Sequence, residues 1–124
     1  MKDVMPVISK VENNIQTLQL NGRMTYDFID QYEKHIKKGI VNADGYIIDL
    51  RAIEQIDSTG LGLLVTLAKY FMNNKGKMVI VNTDALIHEL FVVSKLDQIF
   101  KISDSIVESI KIIEDKDEVF WTGI

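Results

Sequence analysis

The chain alternates short β-branched apolar runs with segments whose apolar residues recur every three or four positions, and this alternation constrains its fold more than any other feature. Strands are predicted at residues 7–11, 15–20, 46–50, 77–82 and 99–102, and helices at about 25–40, 57–74, 83–93 and 104–113. The order is therefore ββαβαβαβα. Because strands that alternate with helices need crossover connections, we expect a single α/β domain with a mostly parallel sheet and with helices packed mainly on one face.

Polar residues indicate where these elements begin and end. Asx residues tolerate left-handed backbone, so residues 12–14 predict a hairpin turn between the first two strands. The other expected boundaries are Asn21 and Gly22 at the end of the second strand, Thr25 as the N-cap of the first helix, Thr83 or Asp84 as the N-cap of the third, and Asp104 at the start of the last.

Composition limits the chemistry that this chain can perform. Its 124 residues are 47% apolar, which suits one domain with a core at about residues 7–113 and a charged and aromatic tail at 114–124. A net charge of −4 argues against nucleic-acid partners, which require clustered Lys and Arg. The absence of cysteine excludes disulfides and thiolate chemistry. No signal peptide and no long apolar run is visible, so a cytoplasmic location without a membrane partner is expected.

The tail has two interpretations. Residues 115–118 are charged, and Val119, Phe120 and Trp121 follow them. The charged run favours a mobile end. The alternative is an aromatic hook that attaches to the body of the domain or to a second copy.

Common catalytic motifs are missing from the sequence. No Gly-x4-Gly-Lys stretch could cradle phosphates, and Gly60 and Gly62 lack the third glycine of a dinucleotide fingerprint. Ser58 lacks the glycines that flank a nucleophile elbow. His35 and His88 lie in helical settings far apart in sequence and are expected at surface or boundary positions. We therefore expect no catalytic residue, no metal and no cofactor, and do not expect an enzyme.

The most informative stretch is the junction of residues 57–62, between a buried strand and an apolar helix. Ser58 has two compatible interpretations, either an N-cap for the helix or a hydroxyl displayed for phosphorylation. Gly60 and Gly62 each cost the helix about 1 kcal/mol relative to alanine. Glycines at this place would let another molecule approach the start of the helix closely.

The helix after this junction is apolar on nearly all sides. One line of residues forms a core stripe, namely Leu61, Leu64, Val65, Ala68, Phe71 and Met72. A second line, formed by Leu63, Leu67 and Tyr70, is rotated away from it. Such a helix is either deeply buried or faces a partner, and the sequence leaves both possibilities open.

Three segments together resemble the STAS domain, in particular bacterial anti-sigma factor antagonists, also called anti-anti-sigma factors. They are Tyr-Ile-Ile-Asp-Leu at 46–50, Ile-Asp-Ser-Thr-Gly-Leu-Gly at 56–62 and Leu-Asp-Gln-Ile-Phe at 96–100. The resemblance extends over roughly residues 7–113. The Asp-Ser-Thr-Gly-Leu-Gly string is its most specific part, and the expected element order is consistent with it.

The resemblance implies a cytoplasmic phosphoprotein that regulates transcription by partner switching. The unphosphorylated protein would bind an anti-sigma factor that is a Ser/Thr kinase with a histidine-kinase-like ATPase fold, and so free the sigma factor. The kinase would phosphorylate Ser58, with Thr59 as second choice, and a PP2C-type phosphatase would reverse the step. A monomer or weak dimer is expected. The residues assigned to partner binding are Gly22, Arg23, Thr25, Asp57, Ser58, Thr59, Gly60, Leu61, Gly62, Leu63, Thr66 and Tyr70.

This sequence departs from the family pattern at two places. Arg23 and Thr25 occupy a stretch that usually carries an acidic residue, which implies a different partner or a different mode of binding. Lys95 stands where glycine is common, which is unfavourable if the position needs left-handed backbone.

Two other functions are compatible with the sequence. The chain could be a scaffold subunit of a larger signalling assembly, with Ser58 a minor site, in which Trp121 and the second apolar line of the second helix mediate oligomerisation. Alternatively, the helix start at Ser58 and Gly60 could hold the phosphate of a nucleotide.

Overall fold

The structure, a computed structural model, describes residues 5–118 and 120. The elements follow the predicted order: β1 (Val7–Glu12), β2 (Ile15–Met24), α1 (Ile29–Gly39), β3 (Gly45–Ile56), α2 (Ser58–Asn73), β4 (Lys77–Val81), α3 (Ala85–Val93), a short 3-10 helix (Leu96–Gln98), β5 (Lys101–Ser103) and α4 (Ile106–Glu114). The strands lie side by side in chain order. Among the described strands, the β1–β2 pair is antiparallel and the β2–β3, β3–β4 and β4–β5 pairs are parallel, so the predicted mostly parallel sheet is confirmed.

Three helices cover one face of the sheet and α4 covers the other. Ile36 of α1, Leu64 of α2 and Phe91 of α3 share a core cluster with residues of the central strands such as Ile48. Ile113 of α4 packs instead on the opposite side of β3 and β4, in a separate cluster with Ile47 and Val79. Successive right-handed crossovers along a sheet whose strands follow chain order place their helices on the same face, which explains this arrangement.

The hairpin turn is confirmed, but the predicted end of β2 is wrong. Asn13 and Asn14 both have positive φ, as a tight hairpin turn requires. The strand then continues through Asn21 and Gly22 as far as Met24. Two irregularities in the pairing with β3 flank these positions, and Gly22 adopts a φ of +95° that most residues avoid. The turn-like residues therefore make a bulge inside the strand.

Two of the predicted helix starts are also wrong. Thr25 is not an N-cap, because its carbonyl accepts the amide of Phe28 in a turn (2.9 Å) and α1 begins only at Ile29. Asp104 does not open α4, because Ser105 is the N-cap and its Oγ accepts the Glu108 amide at 3.0 Å.

Two other predicted boundaries lie near the third helix. The sequence predicted either Thr83 or Asp84 as the N-cap of α3, and the structure shows that it is Asp84. The predicted fifth strand at 99–102 begins two residues too early and ends one residue too early, because the amides of Ile99 and Phe100 both donate to the Leu96 carbonyl and β5 begins at Lys101.

The described part of the tail lies against the domain. Phe120 is half-buried against the α4 cluster, and the Lys77 ammonium lies 5.6 Å from the centre of its ring. Glu118 forms an ion pair with Lys101 at 3.1 Å. Phe120 thus packs on the body of the domain, as the hook interpretation expects, and the mobility of the tail stays a prediction. Val119 and Trp121 lie outside the described residues.

Candidate functional site

The start of α2 is capped by Asp57 rather than by Ser58. Asp57 has extended backbone, with φ −117° and ψ −171°, and its Oδ1 accepts the amides of Thr59 (2.9 Å) and Gly60 (3.2 Å). Ser58 is already the first helical residue, so it cannot fill the N-cap position. The interpretation of Ser58 as an N-cap is therefore wrong.

The two neighbouring hydroxyl groups have different surroundings. Ser58 is exposed, and within residues 5–118 and 120 its Oγ makes no hydrogen bond. Thr59 is half-buried, and its Oγ1 donates to Asp57 Oδ1 at 2.5 Å. Of the two candidate acceptors, only Ser58 offers a hydroxyl that is both accessible and uncommitted.

Asp57 also connects α2 to the loop between β2 and α1. Its second oxygen, Oδ2, accepts the amide of Tyr26 at 2.9 Å, and its own amide donates to the Met24 carbonyl at 3.3 Å. The hydrogen bond from the Thr59 hydroxyl, followed by the one from the Tyr26 amide, holds the pKa of Asp57 below its ordinary value. The Asp57 carboxylate thus links two segments that are far apart in sequence.

The two glycines of the junction have different roles. A Cβ on Gly60 would overlap the Met24 carbonyl oxygen and the side chain of Ile56, so Gly60 lets α2 pack directly on β2. The expectation that this glycine opens the helix to another molecule is wrong. Gly62 is exposed, and a Cβ there would meet nothing within 4 Å, so close approach by a partner at Gly62 remains a prediction.

An exposed line runs from Ser58 along α2. Gly62, Thr66 and Tyr70 follow Ser58 at intervals of four residues, and all four are exposed. We call these four residues the Ser58 line. Leu63 and Leu67 are buried against the core instead. Of the two possibilities for the second apolar line, burial or contact with a partner, burial therefore applies to these two residues.

A shallow groove of about 210 Å³ lies between α1 and α2, beside the far end of the Ser58 line. It is lined by Glu33, Ile36, Lys37, Ile40, Leu63, Thr66, Leu67 and Tyr70. Tyr70 lies at the edge of the groove and is 49% exposed. The groove thus continues the surface that begins at Ser58.

The end of β2 and the loop that follows it add a cationic and aromatic patch. Arg23 is exposed and its guanidinium lies 4.9 Å from the centre of the Phe28 ring, while Tyr26 is 78% exposed. Thr25 and Gly22 are half-buried. Sequence reasoning missed Tyr26 and Phe28 because it assigned both to a helix. An exposed aromatic residue in a polar stretch beside Arg23 was the signal that could have found them.

Most of the predicted partner-binding residues come together in space. The bonds of Asp57 to Met24 and Tyr26 place the end of β2, with Arg23, and the following loop, with Thr25, beside the junction that carries Ser58. Thr59 and Leu61 are half-buried at the same junction. The buried residues Gly60 and Leu63 support this surface from below and offer a partner little to touch.

Nowhere in 5–118 and 120 do three His, Cys, Asp or Glu residues form a group that could hold a metal ion. Within the same ranges, no helix has the length and apolar character needed to span a membrane.

The fold and this junction define a class: an α/β domain that displays a serine where a central parallel strand passes into a helix. The sequence profile of the STAS domain matches residues 7–109, and the chain belongs to this family. The resemblance inferred from the sequence is thereby confirmed.

Three proteins illustrate what the chain is similar to. The STAS-domain containing protein PA14_20770 of Pseudomonas aeruginosa (strain UCBPP-PA14) is 29% identical over 91 residues, which cover 70% of this chain and 86% of that protein. The crystal structure of TM1081 from Thermotoga maritima, a candidate anti-sigma factor antagonist, has a TM-score of 0.78 at 22% identity, covering 88% of this chain and 95% of that one.

The third is the anti-sigma factor antagonist SpoIIAA, which has been solved in its unphosphorylated form and, as a Bacillus cell fate determinant, in its phosphorylated form. The phosphorylated form matches with a TM-score of 0.64 at 17% identity, covering 87% of this chain and 99% of that one. This chain therefore has the fold of anti-sigma factor antagonists.

Proposed function

We propose that this protein is an anti-sigma factor antagonist regulated by phosphorylation of Ser58. In its unphosphorylated form it binds an anti-sigma factor Ser/Thr kinase and so frees the sigma factor. One observation carries the proposal: Ser58 is exposed, its hydroxyl is uncommitted, and it stands at a junction whose backbone is held in place by Asp57. The fold shared with SpoIIAA, a protein known in a phosphorylated form, supports it.

The phosphorylation step transfers one phosphoryl group. The Ser58 Oγ attacks the γ-phosphorus of ATP held with Mg²⁺ by the kinase, the bond to the ADP oxygen breaks, and the hydroxyl proton passes to a base of the kinase. A PP2C-type phosphatase reverses the modification by hydrolysing the phosphoserine ester. In this scheme the protein itself is a substrate and binding module, without a catalytic residue or cofactor of its own.

The added phosphate acts on the partner rather than on the fold. It brings a charge of about −1.5 to −2 to a helix N-terminus, where the macrodipole favours an anion. Asp57 beside it is already anionic, so the junction becomes strongly negative. A partner docked over the Ser58 line must then accommodate both the bulk and the charge, and we expect the complex to dissociate.

A pull-down from source-cell lysate tests the proposal, with wild type, Ser58→Ala and Ser58→Asp as parallel baits. We expect wild type and Ser58→Ala to capture an ATPase with a histidine-kinase-like fold and Ser58→Asp to lose it. Phosphosite mapping after incubation of wild type with the captured ATPase and Mg-ATP should find the phosphate on Ser58. If all three baits capture the same proteins, Ser58 is not the switch, and the scaffold function replaces this one.

A further inference from the structure

We propose that Asp57 is a positioning residue that makes Ser58, and not Thr59, the phosphoacceptor. The inference rests on the proposed function and deepens it, because it names the group that selects between two adjacent hydroxyls. Both side chains lie in the first turn of α2 and differ by one position. A kinase that recognised only this helix start would meet both of them.

Asp57 withholds the Thr59 hydroxyl. The Thr59 Oγ1 donates its proton to Asp57 Oδ1 at 2.5 Å, a charge-assisted bond of the strong type. To react, Thr59 must first break this bond and turn away from the carboxylate. A hydrogen bond to a charged group of this kind corresponds to at least about a tenfold difference in the accessible population. Within the described part of the chain, the Ser58 hydroxyl makes no hydrogen bond that it would have to break before it reacts.

The Asp57 carboxylate is placed to restrain Thr59 rather than to activate it. Its two oxygens accept the amides of Thr59, Gly60 and Tyr26, at 2.9, 3.2 and 2.9 Å. A carboxylate that already accepts three backbone N–H groups is a weak base, so it is poorly suited to remove the Thr59 proton during phosphoryl transfer. The same bonds fix the backbone of the first turn, which keeps Ser58 turned toward solvent.

Substitutions of Asp57 can separate its effect on the choice between Ser58 and Thr59 from its effect on folding. Asp57→Asn keeps a good N-cap and a neutral acceptor, whereas Asp57→Gly keeps a tolerated N-cap residue but removes the acceptor for Thr59. Asp84→Gly is the matched control, because Asp84 caps α3 through the amides of Leu86 and Ile87 and lies outside the junction.

The measured quantity is the ratio of phosphate on Thr59 to phosphate on Ser58, after incubation with desalted source-cell lysate and Mg-ATP. We expect this ratio to rise at least about tenfold in Asp57→Gly, by less in Asp57→Asn and not at all in Asp84→Gly. Because an unfolded chain exposes both hydroxyls and would raise the ratio by itself, circular dichroism must first show that each variant is as fully folded as wild type. An Asp57→Gly ratio within twofold of wild type, or an equal rise in Asp84→Gly, overturns the inference.

A second measurement needs no kinase. In proton NMR spectra of wild type, the Thr59 hydroxyl proton should exchange slowly with water, and this protection should vanish in Asp57→Gly. An unprotected Thr59 hydroxyl in wild type overturns the inference by itself. The absence of phosphate from both residues of wild type overturns the proposed function instead, so the two failures are distinguishable.

Discussion

Gly60 lies directly against the carbonyl oxygen of Met24, so the first turn of α2 packs on the end of β2 without an intervening side chain. Gly62, two residues further along the helix, has open space where its side chain would be. The pair provides a matched comparison, because the same substitution meets packed backbone at one position and solvent at the other.

Alanine at these two positions should change stability in opposite directions. We expect Gly60→Ala to lower the free energy of unfolding by about 1–3 kcal/mol, because the new methyl group forces α2 away from Met24 and Ile56. Gly62→Ala should raise it by about 0.5–1 kcal/mol through helix propensity. Urea unfolding followed by circular dichroism measures both. Equal effects at the two positions would contradict the close contact at Gly60.

The lowered pKa of Asp57 predicts how stability depends on pH. Since this pKa lies below the ordinary value of 3.8 in the folded protein, the hydrogen-bonded carboxylate stabilises the fold above that pH. Its contribution is lost as the pH falls from about 3.8 through the pKa of the folded state. Wild type should therefore lose stability more steeply than Asp57→Asn below about pH 4, and the difference between them should be constant from pH 5 to 7. Urea unfolding at each pH measures this, and parallel curves below pH 4 would contradict the prediction.

The sequence was a good guide to elements wherever side-chain pattern decides the structure. The apolar runs at residues 46–50 and 77–82 predicted strands β3 and β4, and the order of elements followed from them. The wrong predictions concern positions where backbone geometry, rather than side-chain pattern, determines the structure. Asn21 and Gly22 have the chemistry of a turn, yet they form a bulge because the pairing of β2 with β3 continues beyond them. No local pattern distinguishes a turn from a bulge, since both use positive φ.

The candidate site was predictable in composition but not in arrangement. The Asp-Ser-Thr-Gly string identified the junction, and Ser58 is exposed there. The bond between Asp57 and the Tyr26 amide spans 31 residues and depends on tertiary packing, which no local pattern reveals. The position of Asp57 as the cap depends on its extended backbone, whereas sequence preference alone allows Ser58 or Asp57 equally.

Glycine at position 95 should stabilise the protein. Lys95 has left-handed backbone, with φ 64° and ψ 18°, as the departure from the family pattern at this residue suggested. The left-handed conformation costs about 1–2 kcal/mol for a residue with a side chain, and the greater freedom of glycine in the unfolded chain cancels part of the gain. We expect Lys95→Gly to raise the free energy of unfolding by about 0.5–1 kcal/mol.

The control for this substitution is Lys69→Gly, at an exposed position inside α2. There we expect a loss of about 1 kcal/mol, because glycine is a poor helix former. Thermal and urea unfolding of both variants should show changes of opposite sign. A loss of stability in Lys95→Gly would show that the lysine side chain contributes more than its backbone strain costs.

Charge reversal at Arg23 should weaken binding to the partner captured by wild type. Arg23 is exposed beside the junction and is held over the Phe28 ring, and no carboxylate in the described ranges pairs with it. An ordered, unpaired guanidinium fits a partner that presents an acidic group, so Arg23→Glu should lower the affinity by about tenfold or more, chiefly through slower association at low salt. Lys111→Glu makes the same change of charge on α4, on the opposite face of the sheet, and should bind like wild type. Surface plasmon resonance at two salt concentrations measures both variants. Equal losses would mean that only the net charge of the protein matters, whereas wild-type binding by Arg23→Glu would remove the end of β2 from the docking surface.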